Sequence, residues 1–238
     1  MGEIAAVPQR ASTSAGIGSR AGRIALWSIV VGLSFYFVVT SGLLDNAIPY
    51  LAGAEAFTKR HGAHGAWLLL HIVGGTAAVL IGPLQFSATL RRRNIAVHRW
   101  SGRLYLLSVA VSVIAAIRIL LLPHSSFGFR IGIAGLALAW IATTGVAYAA
   151  VRARQIPLHR EWMIRSYVVT FGFVFFRLLL TPLFSLEIAT RGEIVSAVSW
   201  MCWALPLLVT EVVLSSRKIV QARTVVSARR AATTAQPG

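Results

Sequence analysis

Six apolar runs, each about the length of a membrane crossing, limit what this chain can fold into. They are Ile24–Leu44, Gly65–Leu90, Ser101–Leu122, Phe129–Val151, Glu161–Phe184 and Ile194–Ser215. A helix needs about 20 residues to cross the ~30 Å hydrocarbon layer of a bilayer. The runs therefore predict an all-α integral membrane bundle of about six transmembrane helices. Composition agrees, with 56% of residues hydrophobic and only 13% charged. A soluble domain could not hide that much apolar surface. The first run is too long for a signal sequence, and no small-residue cleavage site follows it.

The organisation expected is a disordered basic tail over residues 1–23, a transmembrane domain over 24–215, and a second disordered basic tail over 216–238. A transit peptide is the alternative for the first tail, which is rich in Arg and nearly free of acid. The net charge of +16 does not point to nucleic acid, because the cations lie in short clusters between apolar runs. Of the 23 Lys and Arg, 17 fall in the two tails and the two links on their side, and 4 in the three opposite loops. That bias predicts cytoplasmic termini in a bacterial inner membrane. Trp27, Trp100 and Trp162 would mark the inner interface and Trp67 the outer one. The one cysteine, Cys202, excludes an intrachain disulfide and reads as a small buried apolar residue.

The fifth run carries the most chemistry. Pro157 suits its first turn, and Pro206 is expected to kink the sixth. His159 and Arg177 are eighteen residues apart. On one continuous helix they share a face roughly 27 Å long, with Ser166, Thr170 and Phe173 between them. Arg118 in the third run and Arg177 in the fifth fall at a similar depth, near His71 of the second. An arginine inside a span is costly and normally faces a bundle interior or a wet cavity. These three groups predict an outer-half pocket for an anion, such as a haem propionate, a lipid phosphate or an anionic substrate. Its counter-charge would come from Asp45, Glu187, Glu193, backbone carbonyls or the ligand itself. Snorkelling to the surface is the competing expectation.

The second run has a stripe of His64, His71, Gly75, Ala78, Gly82 and Gln85 at helical spacing. Gly74, Ala78 and Gly82 also form a small-residue seam for close helix contact. On the opposite side of the membrane, His98 and His159 begin the third and fifth runs among Arg99, Arg103, Arg160 and Arg165. Two histidines at equal depth can jointly ligate haem iron. Interfacial anchoring, with the arginines on anionic headgroups, is the plainer reading. Glu211 lies near the inner end of the sixth run. His61, His64 and His124, in outer loops, are a candidate divalent-metal set. No acidic pair, phosphate loop or Ser/His/Asp arrangement supports hydrolase or nucleotide chemistry.

An internal repeat is visible. His98-Arg99-Trp100-Ser101-Gly102-Arg103-Leu104-Tyr105 echoes His159-Arg160-Glu161-Trp162-Met163-Ile164-Arg165-Ser166-Tyr167 with one insertion. It predicts two parallel hairpins, runs three–four and five–six. These two stretches, with His71, Gly82-Pro83-Leu84-Gln85-Phe86 and Arg177, resemble the bacterial membrane proteins of domain of unknown function 2306. The resemblance covers roughly residues 65–185 and implies a multi-pass membrane protein without a stated activity. Locally, His98-Arg99-Trp100-Ser101-Gly102 is similar to the His-Arg-Trp-x-Gly stretch of transmembrane ferric reductases, in which that histidine ligates haem.

Three functional readings stand on these residues. One is a b-type haem redox protein using His98 and His159, with a separate electron donor and arginines, among them Arg103 and Arg165, near the propionates. Another is a cofactor-free transporter or binding protein for an anionic or lipidic ligand at His71, Arg118 and Arg177. The last is a structural or assembly subunit, in which Gln85, Tyr105 and the other polar groups serve packing against a partner membrane subunit.

Overall fold

The computed structural model describes residues 20–40, 48–53, 55, 62–121 and 126–234. The described residues are helical, with no strand among them. In chain order the helices are α1 (Arg20–Phe37), α2 (Ile48–Leu51), α3 (Gly65–Phe86), α4 (Ala88–Arg93), α5 (Ile95–Leu120), α6 (Phe127–Arg152), α7 (Ile156–Thr170), α8 (Gly172–Ser185) and α9 (Arg191–Thr234). Five spans are long and apolar enough to cross a bilayer: Gly65–Phe86, Ile95–Leu120, Phe127–Arg152, Ile156–Ser185 and Arg191–Arg223. The first expected crossing is represented by the shorter apolar helix Trp27–Thr40.

Local chemistry sets the helix boundaries. The Ser87 hydroxyl accepts from Leu90 N at 3.1 Å and the Asn94 side chain from Val97 N at 3.1 Å. These two N-caps turn the chain from α3 through α4 into α5. At the end of α6 the chain reverses in three residues. Gln155 N donates to Ala150 O at 2.9 Å and Arg154 N to Val151 O at 3.1 Å. This is a Schellman pattern with Arg154 left-handed at φ +60°, where glycine is the usual occupant. Pro157 then lies in the first turn of α7, as its missing N–H favours.

Packing ranks the helix pairs. α3 lies closely along α5, and α6 along α7. Spans five and six also pair, through α9 on α7 and α8, while the closest pairs are spans two–three and four–five. In each of these closest pairs a short link joins two antiparallel helices, and the His-Arg motif begins the second of them. We refer to the side of the bundle with these links as the link end. One expectation is corrected. The fifth span is two helices, parted at Phe171, where Val174 N donates to Phe171 O at 3.0 Å in a tighter i→i+3 turn. His159 and Arg177 therefore do not share one continuous helical face. The basic stretch from Arg217 is helical to Thr234, so α9 runs on for 44 residues. That is about 66 Å, twice the hydrocarbon thickness.

The small-residue seam of α3 works as its spacing predicts. A Cβ on Gly74 would lie 2.8 Å from Ser108 O and 2.9 Å from Ser112 N of α5. A Cβ on Gly82 would strike the Tyr167 ring of α7. Close approach at these two glycines lets α3 seat against both neighbours.

Candidate functional site

The deepest polar structure is a chain of hydroxyls crossing α5, α6 and α7. Tyr105 Oη lies 2.8 Å from Ser166 Oγ and 2.8 Å from Thr170 Oγ1. Thr144 Oγ1 lies 2.7 Å from Ser166 Oγ, and Trp140 Nε1 donates to Thr170 Oγ1 at 2.8 Å. All five side chains are buried. Thr170 also donates to Ser166 O at 2.8 Å. One direction gives every hydroxyl proton an acceptor: Thr144 donates to Ser166, Ser166 to Tyr105, Tyr105 to Thr170, and Thr170 to the carbonyl. A buried network in which each member is satisfied rigidifies its surroundings. Beside it, Tyr167 Oη donates to Val79 O at 3.0 Å and ties α7 to α3.

The repeat placed Tyr105, Ser166 and Tyr167 in the sequence reading, but Trp140, Thr144 and Thr170 were not assigned to a network. Their signal was available as polar side chains in apolar runs. Which of them meet depends on how three helices are rotated against one another.

His71 is held by α5. Its Nδ1 lies 2.9 Å from Ser112 O, and Ser112 Oγ lies 3.0 Å from His71 O. With Nδ1 protonated, the ring donates to the Ser112 carbonyl and the Ser112 hydroxyl donates back. Phe173 contacts the imidazole edge-on, with ring centroids 5.0 Å apart. The two arginines expected beside His71 are exposed but not remote: Trp67, under Arg118, is one turn before His71 on α3, and Arg177 is one turn after Phe173. Arg118 is exposed and stacks over Trp67, 5.3 Å from the ring centroid. Arg177 is exposed as well. Among the described residues, no hydrogen bond or ion pair joins either guanidinium to His71.

At the link end, His98 lies in the first turn of α5 and His159 in the first turn of α7. His159 Nδ1 donates to Ala147 O of α6 at 2.8 Å. In a neutral ring this bond selects the Nδ1–H tautomer and leaves Nε2 with a lone pair, the arrangement typical of a metal-ligating histidine. His98 Nδ1 is buried and has no hydrogen-bond partner. Arg99 follows His98 in α5, and Arg91 lies in α4, which ends at the Asn94 that caps α5. Gln85 Nε2 donates to Ser101 Oγ at 2.8 Å, pinning the end of α3 to the first turn of α5.

Two other arginines of the motifs, Arg165 and Arg103, are already engaged. Arg165 is buried in a two-pronged pair with Glu211 of α9, with Nη2 donating to Oε2 at 2.8 Å and Nε to Oε1. Glu161 lies 3.7 Å from Arg165 Nη1 and accepts from Lys218 Nζ at 2.7 Å. Arg165 also stacks over Trp162 at 4.8 Å, and Arg103 over Trp100 at 4.6 Å. Arg165 thus fastens α9 to α7, and Arg103 anchors at the surface.

No group of three or more His, Cys, Asp or Glu side chains gathers among the described residues. His61 and His124 of the loop set lie outside them. Cys202 is buried, its thiol donating to Ser199 O at 3.7 Å.

A family model described as "Predicted membrane protein (DUF2306)" matches residues 68–214. No curated protein and no solved structure matches the chain. The ferric-reductase likeness therefore rests on the local His-Arg-Trp-x-Gly motif alone.

Proposed function

The chain belongs to the DUF2306 family of predicted membrane proteins, and on that footing we propose that it is a membrane redox protein holding a b-type haem between His98 and His159. The observation that carries this reading is the pair of imidazoles at the link end. One has a buried ring nitrogen without a partner, and the other, in its neutral form, is held as the Nδ1–H tautomer by Ala147 O. An orphaned buried nitrogen is costly unless something completes it. Two histidines suffice for haem iron, which brings four nitrogen ligands of its own, whereas an all-protein metal cage needs more donors than gather here. The donor set therefore fits the group.

When bound, the haem would supply one-electron chemistry. The protein's part is positional. Ala147 orients His159, Gln85 and Ser101 fix the start of α5, and the hydroxyl chain from Thr144 to Thr170 holds α5, α6 and α7 in register. Arg91 and Arg99 are the cations placed to meet propionates, in place of Arg103 and Arg165. The apolar span lengths and the Lys/Arg bias support residues 24–215 as the membrane domain, in a bacterial inner membrane with His98 and His159 on the cytoplasmic side. The electron donor would be a separate protein.

Purification with haem supplied during expression tests this reading. The expected result is a Soret band that shifts on reduction and is lost in both His98→Ala and His159→Ala. A wild-type protein that stays colourless after haem reconstitution would overturn it.

A further inference from the structure

We propose that the groove between α5 and α6, at the end opposite His98 and His159, binds one acyl chain of an anionic phospholipid with Arg130 on the lipid phosphate. The groove has a volume of about 480 Å³. Ile117 and Leu120 of α5 and Ala134, Leu138 and Ile141 of α6 line it, and Arg130 is the one charged side chain among its lining residues.

Length and charge identify the occupant. Arg130 lies in the first turn of α6, and Ile141 is eleven residues further on, about 16 Å along the axis. One leaflet contributes about 15 Å of hydrocarbon. The groove thus runs from headgroup depth to the bilayer midplane, the path of a single chain of one leaflet. Arg130 is half-buried at its mouth, and no carboxylate pairs with it among the described residues. A cation so placed favours a headgroup of net negative charge, whose phosphate carries no choline to neutralise it. This site is independent of haem binding.

The test is native mass spectrometry of the full chain released from nanodiscs of equal phosphatidylglycerol and phosphatidylcholine. One phosphatidylglycerol should be retained roughly fivefold over phosphatidylcholine, the preference expected of one interfacial cation. Arg130→Ala should abolish the preference and Arg130→Lys keep it. Ala134→Phe, which fills the trough, should remove the retained lipid. Added inorganic phosphate should leave the retained lipid in place. Equal retention of the two lipids by the wild type, an unchanged preference in Arg130→Ala, a retained lipid in Ala134→Phe, or displacement by free phosphate would each overturn the proposal.

Discussion

Tyr105 on α5 and Ser166 on α7 meet hydroxyl to hydroxyl at 2.8 Å in the buried centre of the bundle. Tyr105→Phe leaves the Ser166 proton without its acceptor, while Thr170 keeps Trp140 and its own carbonyl. The expected loss is about 1–2 kcal/mol, the size of a buried interhelical hydrogen bond. Thr170→Val, which breaks three bonds, should cost more. Thermal unfolding of the purified protein in detergent checks the order. Equal stability of Tyr105→Phe and wild type would mean that the network is not formed.

Glycines of α3 and α6 should respond in opposite ways to alanine. A Cβ at Gly74 meets backbone atoms of α5 that cannot rotate away, so Gly74→Ala should destabilise by about 1–3 kcal/mol. A Cβ at Gly145 meets nothing within 4 Å. Gly145→Ala should be neutral or stabilising by up to about 1 kcal/mol through helix propensity. The same unfolding assay, run on both variants, separates close packing from a general intolerance of substitution.

Arg165 and Glu211 carry the attachment of α9 to α7 at the link end. Arg165→Gln or Glu211→Gln should each cost about 1–3 kcal/mol, since each leaves a charge-assisted partner unmatched. A double-mutant cycle should return a coupling energy of at least about 1 kcal/mol. Limited proteolysis should show earlier cleavage beyond Ser215 in either single variant. Additive effects of the two substitutions would contradict a direct pair.

Arg154 holds a left-handed conformation at the C-terminus of α6, φ +60°. Arg154→Gly removes the Cβ clash and should stabilise the protein by about 1 kcal/mol. A raised midpoint in thermal unfolding is the readout. A lowered one would imply that the Arg154 side chain makes a contact stronger than the backbone strain.

Arg118 and Arg177 are exposed, and Arg118 is held by the face of Trp67. Arg177→Ala should change stability by less than about 0.5 kcal/mol. Arg118→Ala should cost about 0.5–1 kcal/mol, the worth of an exposed cation–π contact. Neither should alter a haem spectrum. A spectral change in either variant would restore the pocket that sequence spacing had placed around His71.

What the chain states locally, it states without help. The membrane crossings follow from the length of apolar runs, the helix ends from Ser87, Asn94 and Pro157, and the close approach of α3 from Gly74 and Gly82, because each depends on residues a few positions apart. Tertiary structure alone decided which helices pair, that the fifth span breaks at Phe171, that Glu211 answers Arg165, and that Tyr105 finds Ser166 and Thr170. Those outcomes depend on the relative rotation and depth of helices far apart in sequence. Arg177, aligned with His159 by counting, is exposed, because which face of a helix is covered depends on the neighbours packed against it.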